Sequence, residues 1–121
     1  ALVLLSPAVD LGNDGWFARL RGGRGEVSDL SPLQHVRSGM PPTLILQGDV
    51  DTETPLAGAE ALCAAMRAAE NVCELEVYIG FGHLFTPAGQ NDRGAPNPDQ
   101  ATAAAAAERA DRFLREQAFL D

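Results

Sequence analysis

An apolar run followed at once by acidic and turn-forming residues lies at the centre of the chain: Pro41-Pro-Thr-Leu-Ile-Leu-Gln-Gly-Asp-Val-Asp-Thr-Glu-Thr-Pro55. Residues 43–47 have the length and composition of a strand buried on both faces, and residues 48–51 end it. Thr54 is suited to cap a helix and Pro55 to occupy its first position. Apolar residues then recur at helical spacing: Leu56, Ala59, Leu62, Cys63 and Met66. This stretch predicts a buried strand, a polar loop and an amphipathic helix.

Two further strands are predicted on either side of this unit. Residues 1–5 form a short apolar run that Pro7 stops, which indicates another strand buried on both faces. Residues 73–79 alternate apolar and polar side chains, which is typical of a strand with one solvated face near a sheet edge. This strand ends at Gly80-Phe-Gly-His83.

Weaker signals predict helical structure elsewhere. Ser31 followed by Pro32 favours one helical turn that runs to about Val36. Asn97 followed by Pro98 favours the start of a final helix. We expect that helix to close with four apolar residues, Phe113, Leu114, Phe119 and Leu120.

The order strand, connection, strand, helix, strand, helix is typical of an α/β protein whose parallel strands are joined by right-handed crossovers. We expect a three-layer α/β sandwich with about three parallel strands and flanking helices. In such sheets, functional residues gather in the loops that follow the carboxyl ends of strands. Residues 49–54 and 80–85 form two such loops, and the single helix between them makes their strands expected neighbours.

Asp51 and His83 are the residues in these loops with the chemistry for proton transfer. A helix and a strand separate them, a path that returns the chain to the same edge of the sheet one strand over. A carboxylate on one imidazole nitrogen fixes the tautomer and leaves the other nitrogen free as a general base. From spacing alone the alternative stays open that Asp51 caps its own turn and His83 is an ordinary loop histidine.

Two linked motifs carry a resemblance to a known family. The stretch 41–55 with its helix, and Glu74-Leu-Glu-Val-Tyr-Ile-Gly-Phe-Gly-His-Leu-Phe85, resemble the C-terminal half of an α/β-hydrolase of the carboxylesterase, acetyl-esterase and dienelactone-hydrolase-like branch. The resemblance implies that Asp51 is the acid and His83 the base of a catalytic triad. Gln47 and Ile79 depart from the family pattern, which usually has His and often has Pro at these positions.

The same resemblance implies one partial α/β-hydrolase domain over residues 1–121. Residues 10–40 are expected to form a cap-like connection, in which Trp16 and Phe17 either line the acyl pocket or simply cover the core. Residues 41–121 are expected to form the C-terminal part that bears the acid and the histidine. Triad chemistry of this kind implies no cofactor.

The family's nucleophile is missing from these 121 residues, because they contain no Gly-x-Ser-x-Gly elbow. Ser6 and Ser31 are each followed by proline, which has no N–H to offer an oxyanion. Ser28 and Ser38 lie in predicted loops without the strand-to-helix turn of an elbow. We expect the nucleophile upstream of Ala1, and we expect this chain alone to be inactive.

These observations predict the acid-and-base portion of a serine hydrolase that acts on carboxylic esters, with a small ester as the substrate of the intact enzyme. The alternative is a non-catalytic half-domain that forms a homodimer or binds a partner through the strand edge at residues 2–5. Composition excludes other classes of function. Nine basic and seventeen acidic residues give a net charge of −8, which opposes binding to nucleic acid. The apolar run at residues 1–5 is too short to span a membrane.

Two further features are possible from the spacing of acidic residues and cysteines, namely a calcium loop and a disulfide. Four acidic residues imitate the ligand spacing of a calcium loop, namely Asp49, Asp51, Glu53 and Glu60. Thr54 stands where that loop needs Gly and Pro55 breaks its geometry, so we expect no metal site. Cys63 and Cys73 would be close if helix and strand pack antiparallel. Buried free thiols are common and nothing indicates an oxidising compartment, so we expect free thiols.

Overall fold

Parallel strands and two helices make up the regular structure of this computed structural model, which describes residues 1–13, 17, 19–20, 26–92 and 94–121. The strands are β1 (Leu2–Leu5), β2 (Thr43–Gly48) and β3 (Cys73–Tyr78), and the helices are α1 (Leu56–Ala68) and α2 (Gln100–Glu116). The strands pair in the order β1-β2-β3, with both pairs parallel. The carboxyl ends of β2 and β3 therefore meet at one edge, where Gly48 lies beside Tyr78.

β2 is the centre of the core because all of its residues are buried. Ile45 belongs to an apolar cluster with α1, whereas Leu44 and Leu46 belong to a second cluster with Phe113 of α2. Successive side chains of a strand point to opposite faces, so the two helices cover opposite faces of the sheet. The predicted three-layer α/β architecture is confirmed.

α1 buries the face that the sequence predicts but begins differently. Four of the five predicted core positions are buried, namely Ala59, Leu62, Cys63 and Met66. The residue preceding the helix is Pro55, and the helix has no side-chain cap. The predicted cap, Thr54, is wrong because its hydroxyl lies against Asp51 and the backbone oxygen of Ser6 instead.

α2 is capped by Asp99 rather than by the predicted Asn97. The Asp99 carboxylate accepts hydrogen bonds from the backbone N–H and the hydroxyl of Thr102, at 2.9 and 2.8 Å. The helix ends at Glu116, and Phe119 is 57% exposed, so the predicted apolar closure fails beyond Leu114. Neither helix in the described ranges is long and apolar enough to cross a membrane.

The connection between β1 and β2 contains two short 3-10 helices, Val27–Asp29 and Pro32–His35. The second confirms the predicted turn after Ser31. The Ser31 hydroxyl does not cap it but donates to the Val9 carbonyl and accepts from the Leu11 N–H. Trp16 and residues 21–25 lie outside the described residues, and Phe17 is half-buried.

A disulfide joins Cys63 of α1 to Cys73 of β3. The expectation of free thiols is therefore wrong. The physical reason is the tight return from helix to strand, which places the two Cα atoms 5.4 Å apart, well within the range that a disulfide bridges. The bond fastens α1 to the edge strand of the sheet.

Reduction of this disulfide should destabilise the chain. The bridge spans a sequence separation of 10 residues, and the chain-entropy model gives about 2–3 kcal/mol for a loop of this size. Urea denaturation with and without dithiothreitol measures the effect, and a Cys63→Ala/Cys73→Ala variant serves as the control. A wild-type midpoint that does not respond to the reductant would contradict the prediction.

Candidate active site

Asp51 and His83 lie in contact at the carboxyl ends of β2 and β3. Asp51 Oδ2 is 3.1 Å from His83 Nδ1, and the Asp51 side chain is fully buried, whereas that of His83 is 22% exposed. Asp51 follows β2 by three residues and His83 follows β3 by five, so the parallel pairing of the strands brings them together. The topology in the sequence predicted this proximity.

The Asp51 carboxylate is surrounded by hydrogen-bond donors. Its Oδ1 accepts from the backbone N–H groups of Glu53 and Thr54, at 2.9 and 2.8 Å. Its Oδ2 accepts from Gln47 Nε2 and from the Thr54 hydroxyl, each at 3.0 Å. The two interpretations left open by the sequence are thus compatible, because one oxygen shapes the turn and the other contacts the imidazole.

This environment favours the ionised carboxylate. Burial alone would raise the pKa of Asp51, but the hydrogen bond with His83, the Thr54 N–H and the attraction of the imidazolium together lower it below its ordinary value. The hydrogen bond to Asp51 raises the pKa of His83, although burial opposes it. The negative charges of Asp51, Asp92 and Glu53 add to that increase.

The imidazole is held through one nitrogen. Within the described part of the chain, the hydrogen-bond contacts of the His83 ring are at Nδ1, which lies 3.1 Å from Asp51 Oδ2 and 3.2 Å from the Thr54 hydroxyl oxygen. With Nδ1 protonated toward the carboxylate, Nε2 is the basic nitrogen. His83 lines a cavity of about 350 Å³ together with Ser6, Glu53, Thr54 and Leu84. The arrangement therefore places a basic nitrogen beside a space that a small molecule can enter.

Gln47 and Thr54 belong to the site although the sequence analysis gave them no role in it. Gln47 Nε2 donates to Asp51 and to the Thr54 carbonyl, the latter at 2.8 Å, whereas its buried Oε1 has no partner among the described residues. The Thr54 hydroxyl is also 3.0 Å from the Ser6 carbonyl oxygen. A polar side chain at the end of an otherwise apolar buried strand is the signal that could have indicated Gln47.

The two loops cross with almost no space between them. The Val50 N–H donates to the Phe81 carbonyl at 3.1 Å, and Asp49 Oδ1 accepts from the Gly80 N–H at 2.7 Å. A Cβ added at Gly48 would press on the Phe81 carbonyl and lie 2.7 Å from the Gly82 oxygen. Only glycine at position 48 allows residues 80–85, the histidine loop, to cross the end of β2.

The histidine loop also contains strained backbone. Leu84 and Phe85 have φ values of 49° and 63°, in the left-handed region that costs a non-glycine residue about 1–2 kcal/mol. Hydrogen bonds hold this conformation. The Leu84 N–H donates to the Ser6 hydroxyl at 3.1 Å and the His83 N–H donates to Asp92 at 3.0 Å. Asp92 is a site residue that the sequence analysis missed.

The acidic residues with calcium-like spacing do not converge. Asp49 accepts from Gly80, and a Glu53 oxygen lies 3.6 Å from Arg19 Nη2. Across the described ranges, no three His, Cys, Asp or Glu side chains are grouped to hold a metal ion.

Comparison with known proteins identifies the family. The model of the prolyl oligopeptidase family matches residues 13–117. The chain belongs to this family. Together with the relatives below, the match places the chain in the α/β-hydrolase superfamily, in its esterase branch and over the C-terminal part of the fold. The family and the fold predicted from the sequence are confirmed.

Relatives of this prolyl oligopeptidase family member include esterases of known structure. Esterase 2 of Thermogutta terrifontis phosphonylated by sarin superposes with a TM-score of 0.77 at 32% identity, over 98% of this chain and 44% of that chain. Its propionate-bound form gives a TM-score of 0.73 at 33% identity, over 98% and 43%. A carboxymethylenebutenolidase-like protein of Methylorubrum extorquens is 32% identical over 80 residues, 66% of this chain and 27% of the relative. The chain thus spans less than half the length of these relatives.

Alanine at Gly48 should separate the two loops. The added Cβ meets backbone oxygens rather than a flexible side chain, so we expect Gly48→Ala to lower the free energy of unfolding by about 1–3 kcal/mol. Gly12→Ala is the matched control, because its Cβ would meet only ordinary contacts at 3.7 and 4.0 Å. Equal urea midpoints for the two variants would contradict the close approach.

The Asp51–His83 pair should stabilise the fold in a defined pH window. A raised folded-state pKa of His83 gives stability that is fully present below the unfolded value of about 6.5 and is lost as pH rises through the folded pKa. The lowered pKa of Asp51 sets the acidic limit of this pH window, because the stability that Asp51 contributes is lost as pH falls through its folded-state pKa. His83→Gln should therefore cost more stability at about pH 5.5 than at about pH 9.

Urea denaturation at both pH values and an NMR titration of the imidazole signals test this expectation. His35→Gln assigns the signals, because the chain has two histidines. A stability loss in His83→Gln that is the same at both pH values would show that the pair is not coupled.

Proposed function

We propose that this chain carries the acid and the base of an esterase of the serine-hydrolase type, with Asp51 as the acid and His83 as the base. The observation that carries the proposal is the 3.1 Å contact of their side chains at the carboxyl ends of neighbouring parallel strands. The substrate class is a small carboxylic ester. The propionate-bound and butyrate-bound forms of the Thermogutta esterase support short acyl groups as the first to test.

In the proposed reaction, His83 Nε2 accepts the proton of a serine hydroxyl while the serine oxygen attacks the ester carbonyl carbon. The imidazolium then gives this proton to the departing alcohol as the carbon–oxygen bond breaks, which leaves an acyl-serine. A water molecule next gives a proton to Nε2 and attacks the acyl carbon. The carboxylic acid departs as the serine oxygen regains a proton from the imidazolium. Asp51 remains ionised throughout and stabilises the imidazolium.

The serine itself is proposed to come from outside these 121 residues. Ser6 lines the cavity beside His83, but it is buried and its hydroxyl accepts from the Leu84 N–H. Pro7 follows it and has no N–H to donate to an oxyanion. In this proposal residues 10–40 form the cap-like connection and residues 41–121 form the part that bears the acid and the base.

The alternative function is a non-catalytic half-domain that acts through the free edge of β1. It gains no support from the comparisons, because the solved structures reported above are forms of an esterase. The paired carboxylate and imidazole also have no evident purpose in a half-domain of that kind. We therefore carry only the esterase proposal forward.

Hydrolysis of p-nitrophenyl acetate and butyrate tests the proposal. We compare the 121-residue chain with a form extended by the residues encoded immediately upstream, and we place His83→Gln and Asp51→Asn in the extended form. Loss of a triad member typically costs about 10⁴-fold in kcat, so both variants should fall by about that factor. His35→Gln is the matched control and should remain within about twofold, since a surface change away from the site has little effect.

The outcomes separate the parts of the proposal. Full activity in His83→Gln would remove the proposed base. Ester hydrolysis by the 121-residue chain at the rate of the extended form would refute the proposal that the nucleophile lies outside these residues. An extended form that labels at a serine with paraoxon and hydrolyses both esters would support the whole assignment.

A further inference from the structure

Asp92 connects residues 49–54, the acid loop, with the histidine loop through one buried carboxylate. Its side chain comes from the segment between β3 and α2, and the residue is only 8% exposed. Oδ2 accepts from the His83 N–H at 3.0 Å and more weakly from the Thr52 N–H at 3.4 Å. Oδ1 accepts from the Thr52 hydroxyl at 3.0 Å. The carboxylate therefore joins the immediate neighbour of Asp51 to the backbone of His83.

The close fit around Asp92 indicates more than a surface contact. A Cβ added at Gly82 would lie 2.5 Å from Asp92 Oδ2, so glycine is required for the carboxylate to reach the His83 N–H. The His83 N–H that Asp92 binds directly precedes Leu84 and Phe85, whose left-handed backbone is strained. This strain would be relieved if the loop were released. Without Asp92, two of the hydrogen bonds at the acid loop and the one at the His83 N–H would be lost together.

We propose that Asp92 is a positioning residue that fixes the loops of Asp51 and His83 relative to each other, so that Nε2 stays aligned for proton transfer. This inference rests on the proposed esterase function. Asp92 does not touch the imidazole ring in the described contacts but acts through the backbone on either side of the pair. The hydrogen bond with Asp51 is the largest of the effects that raise the pKa of His83, and the negative charges of Asp51, Asp92 and Glu53 add to it.

Two substitutions separate the hydrogen bonds of Asp92 from its charge. Asp92→Ala removes both. Asp92→Asn keeps an oxygen for the His83 and Thr52 N–H groups, and its amide can donate to the Thr52 hydroxyl, so it removes only the charge. Asp111→Asn is the matched control, because Asp111 is an exposed carboxylate on α2 and its loss changes the net charge equally.

Rates are measured in the extended form and normalised to the number of serine sites that paraoxon titrates. Asp92→Ala should lower kcat by about 10- to 100-fold with little change in KM, because a misplaced general base costs about this much. Asp92→Asn should recover kcat to within about fivefold of the wild type. In the 121-residue chain, NMR should show faster amide exchange of the His83 N–H in Asp92→Ala only, and a lower imidazole pKa in both variants.

A normalised kcat and a His83 amide exchange rate that match the wild type in Asp92→Ala would overturn the inference. If that variant does not fold, Thr52→Val removes the hydroxyl contact alone, and an unchanged normalised kcat there would overturn it as well. An extended form without esterase activity refutes the proposed function, whereas the exchange and pKa measurements still decide whether Asp92 holds the His83 backbone.

Discussion

The buried negative charge of Asp51 is the constraint on which the rest of the site depends. A carboxylate removed from water loses several kcal/mol of solvation unless protein groups replace it. Here two backbone N–H groups, an amide, a hydroxyl and an imidazole do so. The backbone after β2 must therefore turn back on the carboxylate, and Gln47 must occupy a buried position beside it. The shape of the acid loop follows from the need to solvate one charge.

Close backbone packing is what allows the charge and the imidazole to meet. Gly48 lets the histidine loop lie directly on the end of β2, and Gly82 lets Asp92 lie directly on the histidine loop. Three segments distant in the sequence are thus stacked at one edge of the sheet. The contact at Gly48 is with backbone oxygens, so no flexible side chain there could absorb an added methyl group, whereas the neighbour at Gly82 is the Asp92 side chain itself. Precision at His83 is a property of all three segments together.

The sequence predicted what depends on local periodicity and on strand topology. The positions of the strands, the buried face of α1 and the meeting of Asp51 with His83 all follow from these two sources. The predicted burial of β1 on both faces is wrong, because β1 is an edge strand in which Leu2 and Leu5 are exposed. Helix caps were not predictable in the same way, because the Thr54 hydroxyl is engaged by the Asp51 carboxylate and the Asn97 side-chain amide donates to Gln90. Asp92 left no local signal, since its partner Thr52 lies 40 residues away.

Residue 47 determines how many protons the buried cluster can exchange. A glutamine amide donates to Asp51 at any pH, whereas the histidine that usually stands here in the resembled family would add a second titratable group. In this chain, the titratable group among those that lower the pKa of Asp51 is His83. Among the described residues no group donates to the buried Gln47 Oε1, and a buried acceptor left without a partner costs about 1–3 kcal/mol. The result is a cluster in which one carboxylate is coupled to one imidazole, while the charges of Asp92 and Glu53 act on that imidazole from outside the pair.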